Sequence, residues 1–403
     1  MNAKIYPSNL SGITEASSLK PLAMRYFTLA GFCEGQTRIY LKNETEDVTA
    51  LKDALGDLGV GIYRDKSVYT INPVTEWDGG YKRAGVKSSL PTLRFILPIT
   101  CAVNGVCEFS GTGKLIRKNA TAGMNVLKGV TLDSTVLPMI ATGKLNSGNY
   151  LIEPDFNTQV VSALIMALPL VEGDSQIEFS QKLKKQQAIM IDLTLFAMKG
   201  FGVELERLGT ILKIKGGQKY VAPEKELLVE GDFSTAGYFL ALNQLSSNVQ
   251  VTNLNDQSLQ ADKNIVEYLE KLNNKEKTIE LKAKTNFIFL LTAIACTKDY
   301  VTTFTGVKIK EKDEQKFLEF INMLRLLGAT IDFDGSELSV KGGMLNGGIM
   351  LDTLQDARVA MTLVVLSSVV QGGITILSVE ASMQEQATFL NEFIRLGGNC
   401  QVG

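Results

Sequence analysis

Carboxylates, lysines, tyrosines and cysteines are the side chains that could move protons in this chain, because none of its 403 residues is a histidine. A Ser-His-Asp or Cys-His arrangement therefore cannot form, and neither can a histidine-ligated metal site. Any general acid or base must be one of the remaining groups, with its pKa adjusted by burial or by neighbouring charges.

The cysteines add no further chemistry. They are odd in number, scattered, and never form a CxxC pair: Cys33, Cys101, Cys107, Cys296 and Cys400. This pattern favours neither a zinc site nor a disulfide framework, so we expect reduced core cysteines in a cytoplasmic protein.

Composition and charge exclude several classes of protein. Hydrophobic residues make up 45% of the chain, and 41 basic against 43 acidic residues leave a net charge of −2. This is an ordinary globular composition of sufficient length for two or more domains, without the basic excess that nucleic acids or anionic membranes attract. Residues 1–10 lack the pattern of a signal peptide, and the apolar runs near 160–170 and 359–370 are too short to span a membrane.

One pattern recurs along the chain and must position any site. An amphipathic helix ends in a glycine or asparagine and is followed by a strand; the terminating residues are Gly59, Gly129, Gly202, Asn273, Gly328 and Gly397. Leu, Ile and Phe at helical spacing bury one face of such a helix, and Gly or Asn supplies its left-handed cap. Successive copies are 70, 73, 71, 55 and 69 residues apart.

A second pattern lies between these helices, where a turn precedes a short alternating strand. It occurs in GQTRIYL, GVCEF, GDSQIEF, SNVQVTNL and GGITILSV. Together the two patterns predict an α/β protein of six repeats, each consisting of a helix, a strand, a second helix and two strands, and grouped three plus three; a single doubly wound sheet is the alternative. We place the domain crossings near 13–16 and 228–231, which gives one discontinuous domain (1–14 plus 229–403) and one inserted domain (15–228).

The order of several longer segments resembles a known family. The segments are TQVVSALIMALPL, MIDLTLFAMKGFGVELE, LLVEGDFSTAGYFLAL, KEKDEQ and QDARVAM. They are similar to those of the EPSP synthase (3-phosphoshikimate 1-carboxyvinyltransferase) family of enolpyruvyl transferases, over essentially the whole chain. The resemblance implies a two-domain inside-out α/β barrel of six βαβαββ repeats, three per domain, that works in the cytoplasm as a monomer, without metal or organic cofactor.

The resemblance also implies a reaction. The family transfers the carboxyvinyl group of phosphoenolpyruvate to shikimate 3-phosphate and releases phosphate. Because both substrates are anions, the site needs several Lys and Arg donors for phosphate and carboxylate groups. It also needs one group that takes the hydroxyl proton and another that protonates the vinyl carbon.

Carried over residue by residue, the resemblance gives Lys20 and Glu311 catalytic roles. The positions that it assigns to substrate binding are Arg25, Arg94, Arg117, Thr158, Gln159, Asn286, Lys310 and Arg358. No metal ligand is implied, and the expected partners are small anionic substrates, not nucleic acid or membrane.

The chain departs from the family at positions that matter for catalysis. The residues that differ from those of the family are Pro21, Leu90, Asn157, Gln187, Met190, Asn286, Glu314, Ala357 and Gln384. Asn286 stands where the family has its aspartate base, and an amide has no useful proton affinity. Glu311 or Asp356 could serve as a replacement base. Glu314 reverses the charge of a family arginine.

Three hypotheses follow. The first is a divergent EPSP synthase. The second is a catalytically impaired relative that binds an anionic ligand. The third is carboxyvinyl transfer to a different acceptor; the UDP-sugar relative is disfavoured because its loop cysteine has no counterpart in GTGKLIRKNA.

Overall fold

The computed structural model describes residues 2–74, 76–282, 286–379 and 388–403. The chain divides into two compact units. The discontinuous unit comprises Met1–Ser17 and Gly231–Gly403, and the inserted unit comprises Ser18–Glu230. The crossings that we placed from sequence lie two or three residues before these divisions.

The discontinuous unit supplies the first two strands, and the inserted unit follows. Their bounds are β1 Ala3–Tyr6, β2 Ser11–Glu15, α1 Lys20–Gly31, β3 Cys33–Glu34, β4 Thr37–Tyr40, α2 Glu46–Asp57, β5 Gly61–Asp65, β6 Val68–Asn72, β7 Lys82–Gly85, α3 Leu90–Val103, β8 Val106–Ser110, β9 Thr131–Leu132, β10 Met139–Thr142, β11 Gly148–Ile152, α4 Thr158–Ala167, β12 Ser175–Phe179, α5 Lys185–Gly200, β13 Glu206–Leu208, β14 Ile211–Ile214, β15 Tyr220–Val221 and β16 Leu227–Leu228.

The chain then returns to the discontinuous unit. Its remaining elements are α6 Phe233–Leu242, β17 Asn248–Thr252, α7 Ile265–Asn273, β18 Thr278–Glu280, α8 Ile288–Cys296, β19 Val301–Thr305, α9 Glu311–Leu326, β20 Thr330–Phe333, β21 Leu338–Lys341, β22 Ile349–Asp352, α10 Ala357–Ser367, β23 Ile374–Leu377, α11 Thr388–Arg395 and β24 Asn399–Val402.

Each complete repeat forms its own four-stranded sheet. In the inserted unit the strand orders are β16-β4-β6-β5, β7-β8-β10-β9 and β11-β12-β14-β13. In the discontinuous unit they are β18-β19-β21-β20 and β22-β23-β1-β24. The first two strands of every sheet run parallel and the others antiparallel, as a helical crossover followed by a hairpin requires. The βαβαββ unit predicted from the sequence is therefore present.

The first helix of each repeat lies in the core. Every residue of α8 is buried, and so is nearly all of α4 and α10. These helices are apolar on all sides, whereas helices such as α2 and α7 expose a polar face. In the discontinuous unit α6, α8 and α10 contact one another. Sheets thus surround buried helices within the unit, the inside-out arrangement that the resemblance implied.

Four of the predicted glycine caps have the expected conformation. Gly59, Gly202, Gly328 and Gly397 have φ of 104°, 81°, 104° and 106°, the left-handed region that a side chain disfavours. Two other copies differ from the prediction. The segment before Gly129 forms only a 3₁₀ turn, Met124–Val126, and after α7 the positive φ belongs to Lys275, not to Asn273.

One repeat is shorter than the other five. Among the described residues β2 and β17 form a two-stranded sheet, and α7 is followed directly by β18 of the next sheet. The closing hairpin is thus missing from this repeat, which explains why the spacing from Asn273 to Gly328 is only 55 residues. The free edge of β17 is covered by a side chain instead. Asn243 Nδ2 donates to Val249 O (2.9 Å), and Asn243 Oδ1 accepts from Val249 N (2.8 Å).

Asn243→Ala is expected to lower the free energy of unfolding by about 1–3 kcal/mol, because two hydrogen bonds at ~0.5–1.5 kcal/mol each are lost together. Urea unfolding measures the change. Asn248→Ala, at an exposed position of the same strand, is the matched control and should stay within about 0.5 kcal/mol of the parent. Equal losses for the two variants would contradict the strand-edge role of Asn243.

Two further properties concern only the described part of the chain. No helix there is both long and apolar enough to cross a bilayer, and no group of three potential metal-ligating side chains occurs. The five cysteines are free, and four of them are buried.

Candidate active site

Lys20 begins α1 in the inserted unit and is held by a carboxylate. Its Nζ lies 3.0 Å from Asp47 Oδ2, and Asp47 Oδ1 accepts a 2.6 Å hydrogen bond from Ser89 Oγ. The Lys20 side chain is still 36% exposed. The first turn of α1 contains no acidic residue, so its amide dipoles add to the positive potential around this ammonium group. Lys20 is therefore ordered and accessible to an anion.

Arg25 lies one turn further along α1 and is only 2% exposed. Its guanidinium is held by four neutral oxygens: Thr194 Oγ1 (2.9 Å), Ser162 Oγ (2.9 Å), Met190 O (3.0 Å) and Pro21 O (2.6 Å). It also lies over the Phe95 ring at 5.3 Å. Burial lowers the pKa of Arg25 to about 9, so the group is still charged at neutral pH. Three of its five N–H groups join α1 to α4 and α5, and a fourth is donated to Pro21 O within α1 itself.

Two of the predicted binding residues contact each other. Arg94 on α3 donates from Nη1 to Gln159 Oε1 on α4 at 2.8 Å. The Nε of Arg94 is buried without a partner among the described residues, and burial lowers the pKa of this guanidinium. Thr158 begins α4 and is half-buried beside this pair. A buried N–H without a partner is costly, and it is a donor that an anion could use.

Several substituted positions serve the helices themselves. Asn157 caps α4 by accepting from the backbone N of Gln159 and Val160. Gln187 accepts from Lys184 N and donates to Pro154 O, which fixes the start of α5. At Leu90, where the family has a glycine, α3 simply begins, with Ser89 as its N-cap. Arg117 ends an exposed 3₁₀ helix, Gly113–Arg117.

The discontinuous unit contains a basic cavity of about 410 Å³. Its lining residues are Ser234, Tyr238, Asn286, Lys310, Lys312, Asp313, Lys316, Asp356, Ala357, Arg358 and Met361. Four cations therefore face two carboxylates. Three of the predicted binding residues line this cavity: Asn286, Lys310 and Arg358. Lys310 is exposed, as an anion-binding lysine should be.

Arg358 is bound by internal carboxylates. Asp356 accepts from Arg358 Nε (3.0 Å) and Nη2 (2.7 Å), while Asp313 Oδ1 lies 3.3 Å from Nη2. Lys316 Nζ reaches Asp356 Oδ2 at 2.9 Å. Although burial acts to raise the pKa of Asp356, hydrogen bonds from Arg358 and Lys316 outweigh it and hold that pKa far below its usual range. Asp356, one of the two replacement bases considered from sequence, is thus a poor proton acceptor.

Glu311, the other replacement considered, is the first residue of α9 and is exposed. It is not among the residues that line the cavity, although its neighbours Lys310 and Lys312 are. Glu314 is also exposed on α9. Gln384, where the family has a late lysine, lies outside the described residues.

Sequence reasoning missed one carboxylate, Asp262. Asn286 Nδ2 donates to Asp262 Oδ2 at 3.0 Å. Burial raises the pKa of Asp262 above its ordinary value, an effect that the hydrogen bond from Asn286 partly offsets; Asp232 also raises the pKa and Lys310 lowers it. Asp262 is the second residue of the 3₁₀ turn Ala261–Asn264 before α7. An aspartate is common near a helix start, so nothing in the local sequence distinguished it.

Comparisons with known proteins agree with this fold. The family model for EPSP synthase (3-phosphoshikimate 1-carboxyvinyltransferase) matches residues 5–396. A 3-phosphoshikimate 1-carboxyvinyltransferase of Clostridium beijerinckii is 28% identical, with 98% of each chain covered. One of Clostridium botulinum is 29% identical, with 98% of this chain and 97% of the relative covered.

A solved structure supports the same fold at lower identity. The EPSP synthase of Acinetobacter baumannii superposes with a TM-score of 0.81 over 100% of both chains, at 17% sequence identity. Fold similarity alone would not establish a family, but the family model covers nearly the whole sequence. The chain belongs to the EPSP synthase family.

Proposed function

We propose that this protein transfers the carboxyvinyl group of phosphoenolpyruvate to shikimate 3-phosphate and releases phosphate. The observation that carries the proposal is the match of the EPSP synthase family model from residue 5 to residue 396. The curated relatives that match 98% of the chain bear the name of this activity.

The distribution of cations supports two anionic substrates. Lys20 and the partly unsatisfied Arg94 are available in the inserted unit, and Arg25 has one N–H left after its four neutral contacts. Lys310 faces the basic cavity of the discontinuous unit. We assign binding roles to these groups and to Arg117, Thr158, Gln159, Asn286 and Arg358. Lys20 and Glu311 are proposed as catalytic.

The setting of the reaction is also a proposal. We infer a cytoplasmic monomer that acts on small molecules, with no nucleic-acid or membrane partner. A net charge of −2 and four buried free cysteines support this. The motifs of the family require no metal or organic cofactor, and the cations named above are sufficient to neutralise phosphate and carboxylate groups.

Release of inorganic phosphate from a mixture of shikimate 3-phosphate and phosphoenolpyruvate tests the activity directly. We expect phosphate release that depends on both substrates, together with one equivalent of the enolpyruvyl ether detected by mass spectrometry. Omitting shikimate 3-phosphate is the control, since it separates transfer from simple hydrolysis of phosphoenolpyruvate.

Two features favour a second outcome, an impaired relative that only binds. The family base is replaced by Asn286, and Arg358 is already bound by Asp313 and Asp356. Such a protein would show a higher Tm in the presence of shikimate 3-phosphate but no phosphate release, because ligand binding stabilises the folded state without turnover. Release with another hydroxylated acid, but not with shikimate 3-phosphate, would instead identify a different acceptor.

A further inference from the structure

The amide at position 286 leaves the proposed reaction without its expected proton acceptor. The acceptor hydroxyl must lose its proton when its oxygen attacks the enol carbon, and a positioned base typically contributes ~10²–10⁴-fold to such a step. Asn286 cannot be this base, since an amide nitrogen or oxygen has negligible proton affinity near neutral pH.

Two of the carboxylates at the basic cavity are already occupied. Asp356 accepts from Arg358 and Lys316, and Asp313 faces the Arg358 guanidinium at 3.3 Å. These two groups hold an arginine in place. Although burial acts to raise the pKa of Asp356, hydrogen bonds from Arg358 and Lys316 outweigh it and lower that pKa, so Asp356 is unsuited to accept a proton.

Asp262 has the opposite surroundings. One carboxylate oxygen, Oδ2, is 3.0 Å from the Asn286 amide, and its Oδ1 has no hydrogen bond to a described residue. The residue is half-buried, next to Asn286 and within the field of Lys310, both of which line the cavity. A desolvated carboxylate with a free oxygen favours its protonated form more than an exposed one does.

We propose that Asp262 is the base that accepts the proton of the acceptor hydroxyl in this chain, in place of the aspartate that the family carries at the position of Asn286. Asn286 Nδ2 donates a hydrogen bond to Asp262 Oδ2. This contact fixes the orientation of the carboxylate and leaves Oδ1 available to the acceptor hydroxyl. This inference rests on the proposed carboxyvinyl transfer.

The step balances in atoms and electrons. The O–H bond of the acceptor breaks, its proton passes to Asp262, and the oxygen's electron pair forms the new C–O bond to the enol carbon. The electron pair of the C=C bond takes a proton at the terminal carbon from a general acid. In the elimination that follows, a proton leaves this methyl group, the double bond re-forms, and the C–O bond to phosphate breaks with its electrons leaving on phosphate.

Asp262→Asn is the central test, since it removes the proton acceptor and keeps the size of the side chain. We expect kcat to fall about 100-fold or more, with KM for both substrates unchanged. Asp256→Asn is the matched control, because Asp256 is an exposed carboxylate on the same segment between β17 and α7 and should keep the parental kcat. The thermal unfolding of both variants shows whether they fold.

The exchanged pair provides a second test. Asp262→Asn combined with Asn286→Asp returns one carboxylate and one amide in reversed order, and it should recover most of the lost kcat. A purely structural role for the Asp262–Asn286 hydrogen bond would give the same recovery, so the pH profile must separate the two roles.

The pH dependence of kcat/KM makes that separation. Asp262 must be unprotonated to act, so activity falls as pH drops through its raised pKa; Asn286, Asp232 and Lys310 are the groups that set this pKa. Asn286→Ser removes a hydrogen bond that lowers the pKa of Asp262, so the acidic limb should move to higher pH while kcat stays well above that of Asp262→Asn. A structural role predicts that Asn286→Ser and Asp262→Asn lose kcat equally.

The outcomes distinguish this inference from the function on which it rests. If the parent protein releases phosphate and Asp262→Asn does so at the same rate, the assignment of Asp262 is wrong and the carboxyvinyl transfer stands. If the parent releases no phosphate from shikimate 3-phosphate and phosphoenolpyruvate, both are wrong. An acidic limb that stays in place in Asn286→Ser also overturns the role of Asp262.

Discussion

Lys20→Met is expected to lower kcat/KM about 100–1,000-fold, the usual cost of removing one donor to a developing negative charge. Lys20 Nζ is anchored to Asp47 Oδ2 at 3.0 Å, and Asp47 is anchored in turn by Ser89. The ammonium group thus has a fixed position with two N–H groups left for a substrate. Steady-state phosphate release with varied phosphoenolpyruvate measures the loss.

Lys182→Met serves as the control for charge and size. Lys182 is exposed in the segment before α5, so its loss removes one positive charge from the same unit without touching the Asp47 cluster. We expect kcat/KM within about twofold of the parent, as for an isolated, screened surface charge. Equal losses in the two variants would mean that Lys20 acts only through long-range electrostatics and has no direct role.

Much of the fold could be predicted from the sequence because its local rules repeat. Glycines such as Gly59 and Gly328 end amphipathic helices at near-constant spacing, and the structure gives them the left-handed φ that this spacing implies. The one short interval, from Asn273 to Gly328, already indicated that this repeat lacks its closing hairpin. Its consequence, an Asn243 side chain that covers the edge of β17, depends on tertiary contacts and has no sequence pattern.

The site was harder to predict because residue type does not determine a side chain's partners. Arg25 and Arg358 have the same charge and opposite surroundings: the first is held by neutral oxygens, and the second by two carboxylates. A sequence shows neither arrangement. Asp262 was missed for the same reason, since its contact with Asn286 joins positions 24 residues apart, and nothing local brings them together.

Arg358→Met should show the largest effect on stability, a loss of about 3–5 kcal/mol in the free energy of unfolding. Breaking a buried ion pair by removing one partner typically costs this much, because the remaining charge is left unpaired. Here the remaining charges are the carboxylates of Asp313 and Asp356, which are only 11% and 9% exposed. In the variant, Asp356 still has its ion pair with Lys316, whereas Asp313 loses the guanidinium that it faces. Urea unfolding at neutral pH measures the loss.

The pH dependence and a double variant identify the cause of that loss. Because Arg358 and Lys316 hold the pKa of Asp356 below its unfolded value of ~3.9, the stability that Asp356 contributes is present above that value and is lost as pH falls through the folded pKa. The difference in the free energy of unfolding between Arg358→Met and the parent should therefore shrink below about pH 4.

A double variant tests the same cause at neutral pH. Adding Asp313→Asn to Arg358→Met should recover part of the loss, since it removes the carboxylate charge that is left unpaired. Arg395→Met, at an exposed pair with Glu392, should lower the free energy of unfolding far less than Arg358→Met does. A loss in Arg358→Met that stays constant with pH, or that Asp313→Asn deepens, would assign the effect to packing against Phe289, over which the guanidinium lies at 5.0 Å, and not to the buried charges.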